Sequence, residues 1–288
     1  MNNLKELYER IKKENPNKSL DELLQKIYEE IKEKNNESFS IIKKRILDEN
    51  GIDELEFYTK NVDKNLKAYI EKNIFPQYEL NDQAHGIVHI LEVIRRSFAL
   101  NATFKLGLKD NMIYAIAAYH DLGKYEDHTI HEKIAAKRFL NDENMKQFFT
   151  EEERQTIKEA IEDHRSAKED NPRSTYGKLI SSADRNTTIE IVFIRSFFVA
   201  KERMPEMNIE KYLDYTIKRL SKKYDEETPE NMFYEDETYK IFINDMRKLL
   251  KKEDEFKKRY CEVNHITSRE HNVEDEQGET NYIKQLKK

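Results

Sequence analysis

Cysteine, glycine and proline are scarce in this chain, and each shortage excludes something. Of 288 residues one is cysteine, Cys261, and a lone thiol rules out an internal disulfide and any zinc site made of several thiolates. Metal chemistry therefore falls to imidazole and carboxylate. Glycine and proline number only 6 and 5 against a charged fraction of 38%, which suits long solvated helices and supplies few of the turn signals an all-β fold needs. The expected class is all-α.

Long hydrophobic runs are missing too. Apolar runs such as residues 191–194 and 197–200 fall far short of the roughly 20 residues a membrane span requires. Residues 1–14 are too charged for a secretory signal, so the expectation is a cytoplasmic protein with no membrane partner. Nor is there a strong charge of one sign: 51 basic residues against 57 acidic leave a formal charge of −6. A nucleic-acid polymer is accordingly not an expected partner. A small anionic substrate would need cations or metal placed locally.

What is present is helical periodicity, over a length that suits one sizeable core with extensions. Leu4, Leu7, Tyr8 and Ile11 share a helical face, the pattern breaks at Asn15, Pro16 and Asn17, and Ser19 with Glu22 forms a capping-box pattern. That box opens a second helix carrying Leu20, Leu23, Leu24, Ile27, Tyr28 and Ile31. After a polar stretch over 34–38, Phe39, Ile42 and Ile46 mark a short third helix ending near Gly51. Together these form a helical appendage over residues 1–55, without a phosphate loop or a cluster of ligand residues, whose plain reading is a packing or interaction module. A catalytic domain is expected over 60–260, opening on a helix at 63–73 and completed by helices over 191–220 and 234–260, with Pro205 and Pro229 as punctuation. The polar remainder, 263–288, has little to bury and is expected to be a mobile tail.

Six of the eight histidines lie between residues 85 and 186. Positions i, i+3, i+4 and i+7 share one helical face, and Ile157, Ala160, Ile161 and His164 form such a series. So do Ile113, Ile116, Ala117 and His120, with Asp121 directly after, and Ile180, Ala183 and Asp184 repeat the pattern. His131 shares a face with Ile134 and Ala135, and His89 shares one with Val93. Singly, a histidine on an apolar face is most often a hydrogen-bonded core residue. Together, four imidazoles and two carboxylates aimed at one core need cations, because burying an unpaired carboxylate costs several kcal/mol. Divalent metals are the simplest answer.

These residues also carry a resemblance. His89 with Val93, His120-Asp121 in AAYHDLGK, His131 with Ala135 and Ala136, His164 in AIEDH and Asp184 in SSADR resemble the HD-domain superfamily, in the order of its two-metal branch. The likeness covers about residues 81–186, and the longer phrases PQYELNDQAHGIVHILEVIRRS and STYGKLISSADRNT resemble a bacterial HD group without an assigned substrate. It implies an all-α HD-domain bundle in which His89, His120, Asp121 and Asp184 hold a primary metal. Asp121 would bridge to a second ion supported by His131 and His164. Only nine residues separate Asp121 from His131, a shorter insert than in many two-metal members, so a one-ion site built from the first four residues stands as the alternative.

The same resemblance implies metal-dependent hydrolysis of a phosphate ester by metal-activated hydroxide, since a bound divalent ion lowers the pKa of water from about 15.7 toward 7. Asp121 is the expected catalytic bridge and Lys124 resembles the family's phosphate-contacting lysine. His85, one turn before His89, is expected to contact substrate or support the ligands, and Arg185 to bind substrate. Arg95, Arg96, Arg165, Arg173 and Lys178 are further cations near the ligand-bearing segments, while His128, His265 and His271 receive no role. Nitrogen and oxygen ligands admit Mn, Fe, Zn, Co or Ni. The expected partner is a small phosphorylated substrate, and nucleoside mono- or triphosphates, dinucleotides and cyclic dinucleotides all fit. Two competing readings use the same cage: a di-iron oxygenase, and a non-catalytic nucleotide-sensing module.

Overall fold

The computed structural model describes residues 4–34, 39–82, 85–165, 171–225 and 232–265. Among these residues all regular structure is helical and no strand occurs, as the apolar spacing and the shortage of turn residues require. The tail beyond residue 265, with His271, lies outside the described residues, as do Pro229 and the polar stretch from residue 35 to 38.

Helices start where the chain supplies oxygen caps. After α1 (Leu4–Glu14), Ser19 and Glu22 close the capping box that opens α2 (Leu20–Ile31), satisfying two of the orphan N–H groups of a first turn. Asp53 caps α4 (Glu54–Thr59) and Asp63 caps α5 (Lys64–Asn73), which follow α3 (Phe39–Glu49). Then come α6 (Ile87–Thr103), α7 (Asp110–Tyr119), α8 (His131–Asn141), α9 (Glu151–Asp163) and α10 (Thr175–Ala183). Thr150 and Glu153 form a second capping box at the start of α9.

The segments read as helical over 191–220, with Pro205 as punctuation, and over 234–260 each form two helices. The first becomes α11 (Ile189–Arg203) and α12 (Ile209–Lys223), with Met204 pulled to φ −139°, ψ 56°, because the residue before a proline is disfavoured in the helical region. The second becomes α13 (Glu237–Leu250) and α14 (Glu253–Val263), separated where Lys252 turns to φ −124°, ψ 76°. The short α4 and the 3₁₀ turns Phe75–Leu80 and Glu143–Gln147 are too brief for periodicity to announce.

Burial groups the helices in two. Leu7, Ile27 and Ile46 from the first helices join one continuous core with Ile94, Ala117, Phe139, Ile161 and Ile180. A second cluster, including Phe193, Leu220, Phe242, Phe256 and Tyr260, belongs to α11–α14. Polar pins hold the two together: Arg96 of α6 forms a buried bidentate pair with Asp236, the cap of α13, and Ser182 Oγ accepts from the backbone N–H groups of Phe233 and Tyr234, each at 3.2 Å. The N-terminal helices are pinned by the buried Asp21, which takes Lys43 Nζ at 3.0 Å and the Tyr58 hydroxyl at 3.1 Å. No helix among the described residues is long and apolar enough to cross a membrane.

Candidate metal centre

Each ligand candidate sits at a helix end or first turn, where its side chain can reach past its own helix. His89 lies in the first turn of α6, and His120 directly follows α7 as its cap. His131 opens α8, while His164 and Asp184 are the C-caps of α9 and α10. The apolar stripe behind each one fixes the helix against the core and so aims the polar end at one point. Asp121 follows His120 in a tight turn that contains Gly123 at φ +100°. A Cβ there would stand 2.6 Å from Ile134 Cγ2, so both the left-handed backbone and the contact with α8 require glycine.

Asn81 holds this turn from outside. Its amide nitrogen donates to the carbonyls of Asp121 and His85, each at 3.1 Å, and its oxygen accepts from Tyr125 N–H at 3.1 Å. The sequence shows Asn81 only as part of a polar break. Nothing in it announces a side chain that bridges 40 residues.

Two groups of ligand atoms result. His89, His120 and Asp121 offer atoms that all lie within 4.8 Å of one another, and so do Asp121, His131 and His164. Asp121 divides its oxygens between them. Oδ2 faces His89 Nε2 and His120 Nε2, each at 3.6 Å, while Oδ1 faces His131 Nε2 at 3.1 Å and His164 Nε2 at 3.5 Å. Asp184 Oδ1 joins the first group, 3.1 Å from His89 Nε2 and 3.9 Å from His120 Nε2.

The ring tautomers fit this role. Nδ1 of His120, His131 and His164 lies 2.8, 3.0 and 2.7 Å from the carbonyls of Ala117, His128 and Ile161. A carbonyl only accepts, so Nδ1 carries the proton and Nε2 is left with a lone pair, the usual arrangement of a metal-ligating histidine. His89 Nε2, His120 Nε2 and Asp121 Oδ1 are buried without hydrogen-bond geometry to any partner. Buried polar atoms are rarely left so. These three orphaned atoms, beside the Nε2 lone pairs of His131 and His164 and the Asp184 carboxylate, form a nitrogen and oxygen set of the kind that divalent transition ions take.

The electrostatics agree. Burial pushes the His120 imidazole down to about 3, leaving it neutral and able to ligate at any physiological pH. Burial opposes charge on Asp121, but the adjoining His120 and the Lys124 ammonium outweigh it and hold the carboxyl well below the usual carboxylate range. Asp184 is likewise ionised, since the His89 imidazole overcomes its burial. Lys124 Nζ stands 3.5 Å from Asp121 Oδ2.

His85 stands apart from both groups. Its Nδ1 is 2.7 Å from Asp82 Oδ1, its ring centre is 5.9 Å from that of His89, and burial pushes it down to about 4 despite the Asp82 bond. It lines a cleft beside Asp184, together with Lys124 and Arg185. The other cations near the ligand segments are spent on the fold. Arg95 pairs with Glu54 and Glu92, Arg96 with Asp236, Arg165 with Glu132, and Arg173 with Glu162 and Asp163. Lys178 lies over the Phe233 ring. In their place the cleft gathers Arg195 of α11 with Arg219 and Lys223 of α12, which sequence reasoning passed over. The i, i+4 spacing of Arg219 and Lys223 was visible, but not the cleft that their helix meets.

Comparison with known proteins agrees with this geometry. The family model described as HD domain matches residues 86–188, a span that holds all six ligand candidates and stops short of α11. An uncharacterized protein of Clostridium beijerinckii (strain ATCC 51743 / NCIMB 8052) is 30% identical over 123 residues, covering 41% of this chain and 73% of that protein. No solved structure matches the chain. With the His, His-Asp, His, His, Asp order, the converging lone pairs and the matched span together, the chain belongs to the HD-domain superfamily.

Proposed function

We propose that this protein is a two-ion phosphohydrolase that cleaves a phosphate ester of a small phosphorylated molecule. The HD domain indicates the metal-dependent phosphohydrolase superfamily, and one observation carries the finer reading: Asp121 turns one oxygen to the His89 and His120 pair and the other to the His131 and His164 pair. A carboxylate so divided is suited to bridge two ions. His89, His120, Asp121 and Asp184 would hold the first, and Asp121, His131 and His164 the second. Bound divalent ions, of the Mn, Fe, Zn, Co or Ni class, supply activated water and polarise a phosphoryl oxygen.

The remaining chemistry belongs to the chain. Lys124, with its ammonium beside Asp121 and its flank on the cleft, is placed to donate to a phosphoryl oxygen and offset charge gathering there. Arg185 and His85 line the same cleft and orient the ester. Asp82 holds the His85 ring by Nδ1, which turns the opposite ring edge outward. His120 and His164 are almost completely buried, and Asp184 lies where the centre meets the cleft.

Metal analysis of anaerobically purified protein, followed by phosphate-release assays on nucleotides and simple phosphate esters with each metal in turn, tests this reading. Two ions per chain and metal-dependent phosphate release are expected. Metal-replete protein that consumes oxygen and releases no phosphate would overturn it in favour of an oxygenase. Protein that binds a nucleotide and turns nothing over would favour a sensing module.

A further inference from the structure

The cleft beside the metal centre reverses the charge of the molecule around it. The chain as a whole carries −6, yet Lys124, Arg185, Arg195, Arg219 and Lys223 all line this one space, and among the described residues the only carboxylate lining it is Asp184. Asp184 is already committed to the metal ligands. A single phosphate at the metal centre would be met by two divalent ions and Lys124, which leaves Arg195 and Arg219 without a carboxylate partner among the described residues. Arg219 and Lys223 lie one turn apart on α12, and like charges at that spacing repel. Proximity to the helix C-terminus accounts for Lys223, but not for Arg195, which sits in the middle of α11.

The contrast with the other arginines sharpens the point. Arg95, Arg96, Arg165 and Arg173 each pair with a carboxylate. Arg195 donates instead to the neutral amide of Asn186, at 3.1 Å, and among the described residues no carboxylate pairs with Arg195 or Arg219. A guanidinium held by an amide is positioned without being neutralised, and its planar fork suits a phosphate.

We infer that Arg195, Arg219 and Lys223 form a second anion subsite, and that the preferred substrate is a small molecule carrying two phosphates, one at the metals and one on α11 and α12. This rests on the hydrolase reading above for the position of the phosphate that is cleaved. The subsite lies beyond the residues matched by the HD family model, 86–188, so it is a property of this chain's own C-terminal helices.

Calorimetric titration of the metal-loaded protein with methylenediphosphonate and with methylphosphonate tests it, since neither probe is hydrolysed. The parent should bind the diphosphonate at least about tenfold more tightly. Arg219→Ala/Lys223→Ala should reduce that preference to less than about threefold, with bound metal and circular dichroism unchanged. Lys222→Ala, a charge removed from the same helix but outside the cleft, should leave it intact. Equal affinity for both probes in the parent overturns the inference, as does a preference that survives in the double variant, which would belong to the metals alone. The two readings fail separately: a protein that prefers the diphosphonate through Arg219 and Lys223 but releases no phosphate keeps the subsite and loses the hydrolase. One that hydrolyses p-nitrophenyl phosphate without preferring the diphosphonate does the reverse.

Discussion

His131 and His164 bring their Nε2 atoms to 3.2 Å of each other, while the Nδ1 of each ring donates to a backbone carbonyl. Two lone pairs cannot face each other at that distance in a buried site without a positive charge between them. A proton or a metal ion between them would relieve this, and Asp121 Oδ1, 3.1 Å from one ring and 3.5 Å from the other, would complete the proposed site for the ion.

His131→Ala and His164→Ala should each lower bound metal from about two ions per chain to about one, while His89→Ala disturbs the other site. Inductively coupled plasma mass spectrometry on the purified variants reads this directly. Full metal content in both His131→Ala and His164→Ala would place the second ion elsewhere.

Asp121→Ala should remove both ions and reduce phosphate release by at least about a hundredfold, more than the loss expected from altering a group that merely supports a ligand. Helical circular dichroism should persist, because the emptied site retains imidazoles that are neutral when buried, as His120 is. Unfolding of this variant would show that the centre holds the fold together as well as the substrate.

Lys124→Ala should leave metal content unchanged and raise KM for a phosphate ester by roughly ten- to a hundredfold, the range of a lost charge-assisted hydrogen bond. Parallel metal analysis and steady-state kinetics separate this from a ligand defect. A fall in bound metal would instead assign the lysine to holding Asp121.

The buried Arg96–Asp236 pair joins the core that carries the ligand candidates to the helices that line the cleft. Asp236→Asn keeps an acceptor for the cap of α13 but leaves the Arg96 charge buried, and should cost about 3 kcal/mol. Arg96→Met/Asp236→Asn should recover a large part of that loss, measured by urea denaturation. A double variant no more stable than Asp236→Asn would mean that the pair contributes packing rather than charge.

Asp21 supplies a pH test away from the metals. Burial raises this carboxyl, but Lys43 and Arg95 outweigh it and hold it far below its ordinary range. A depressed folded-state value means that the stabilisation is present above the unfolded carboxylate pKa of about 3.9 and is lost as pH falls toward the folded value. Asp21→Asn should therefore cost about 3 kcal/mol at pH 7, with the difference from the parent shrinking only below about pH 4. A difference that already vanishes between pH 5 and 7 would place the stabilisation on another group.

Most of the bundle could be read in advance because helical burial is a local, periodic property. Leu20, Leu23, Leu24 and Ile27 repeat at the spacing of one face, and Ser19 with Glu22 encodes the start of their helix in the chemistry of two side chains. The same logic exposed the ligand candidates, since a histidine that follows Ile157, Ala160 and Ile161 must point where they point. Interruptions were legible only in part, at Pro205 but not at Lys252. Met204 leaves the helix because Pro205 follows it, and Lys252 turns without any such signal.

By itself, then, the sequence determined the helical class, the identity of the six ligand candidates and the exclusion of thiolate chemistry, all of which follow from residue types at short fixed spacings. The tertiary structure alone decided how Asp121 divides its oxygens, which cations are consumed by Glu54, Asp236, Glu132 and Asp163, and which reach the cleft. Arg95 and Arg195 look alike along the chain. One meets carboxylates across α4 and α6 and the other meets the Asn186 amide, a difference set by which helix ends pack together, and charge acts through space over a few ångströms rather than along the backbone.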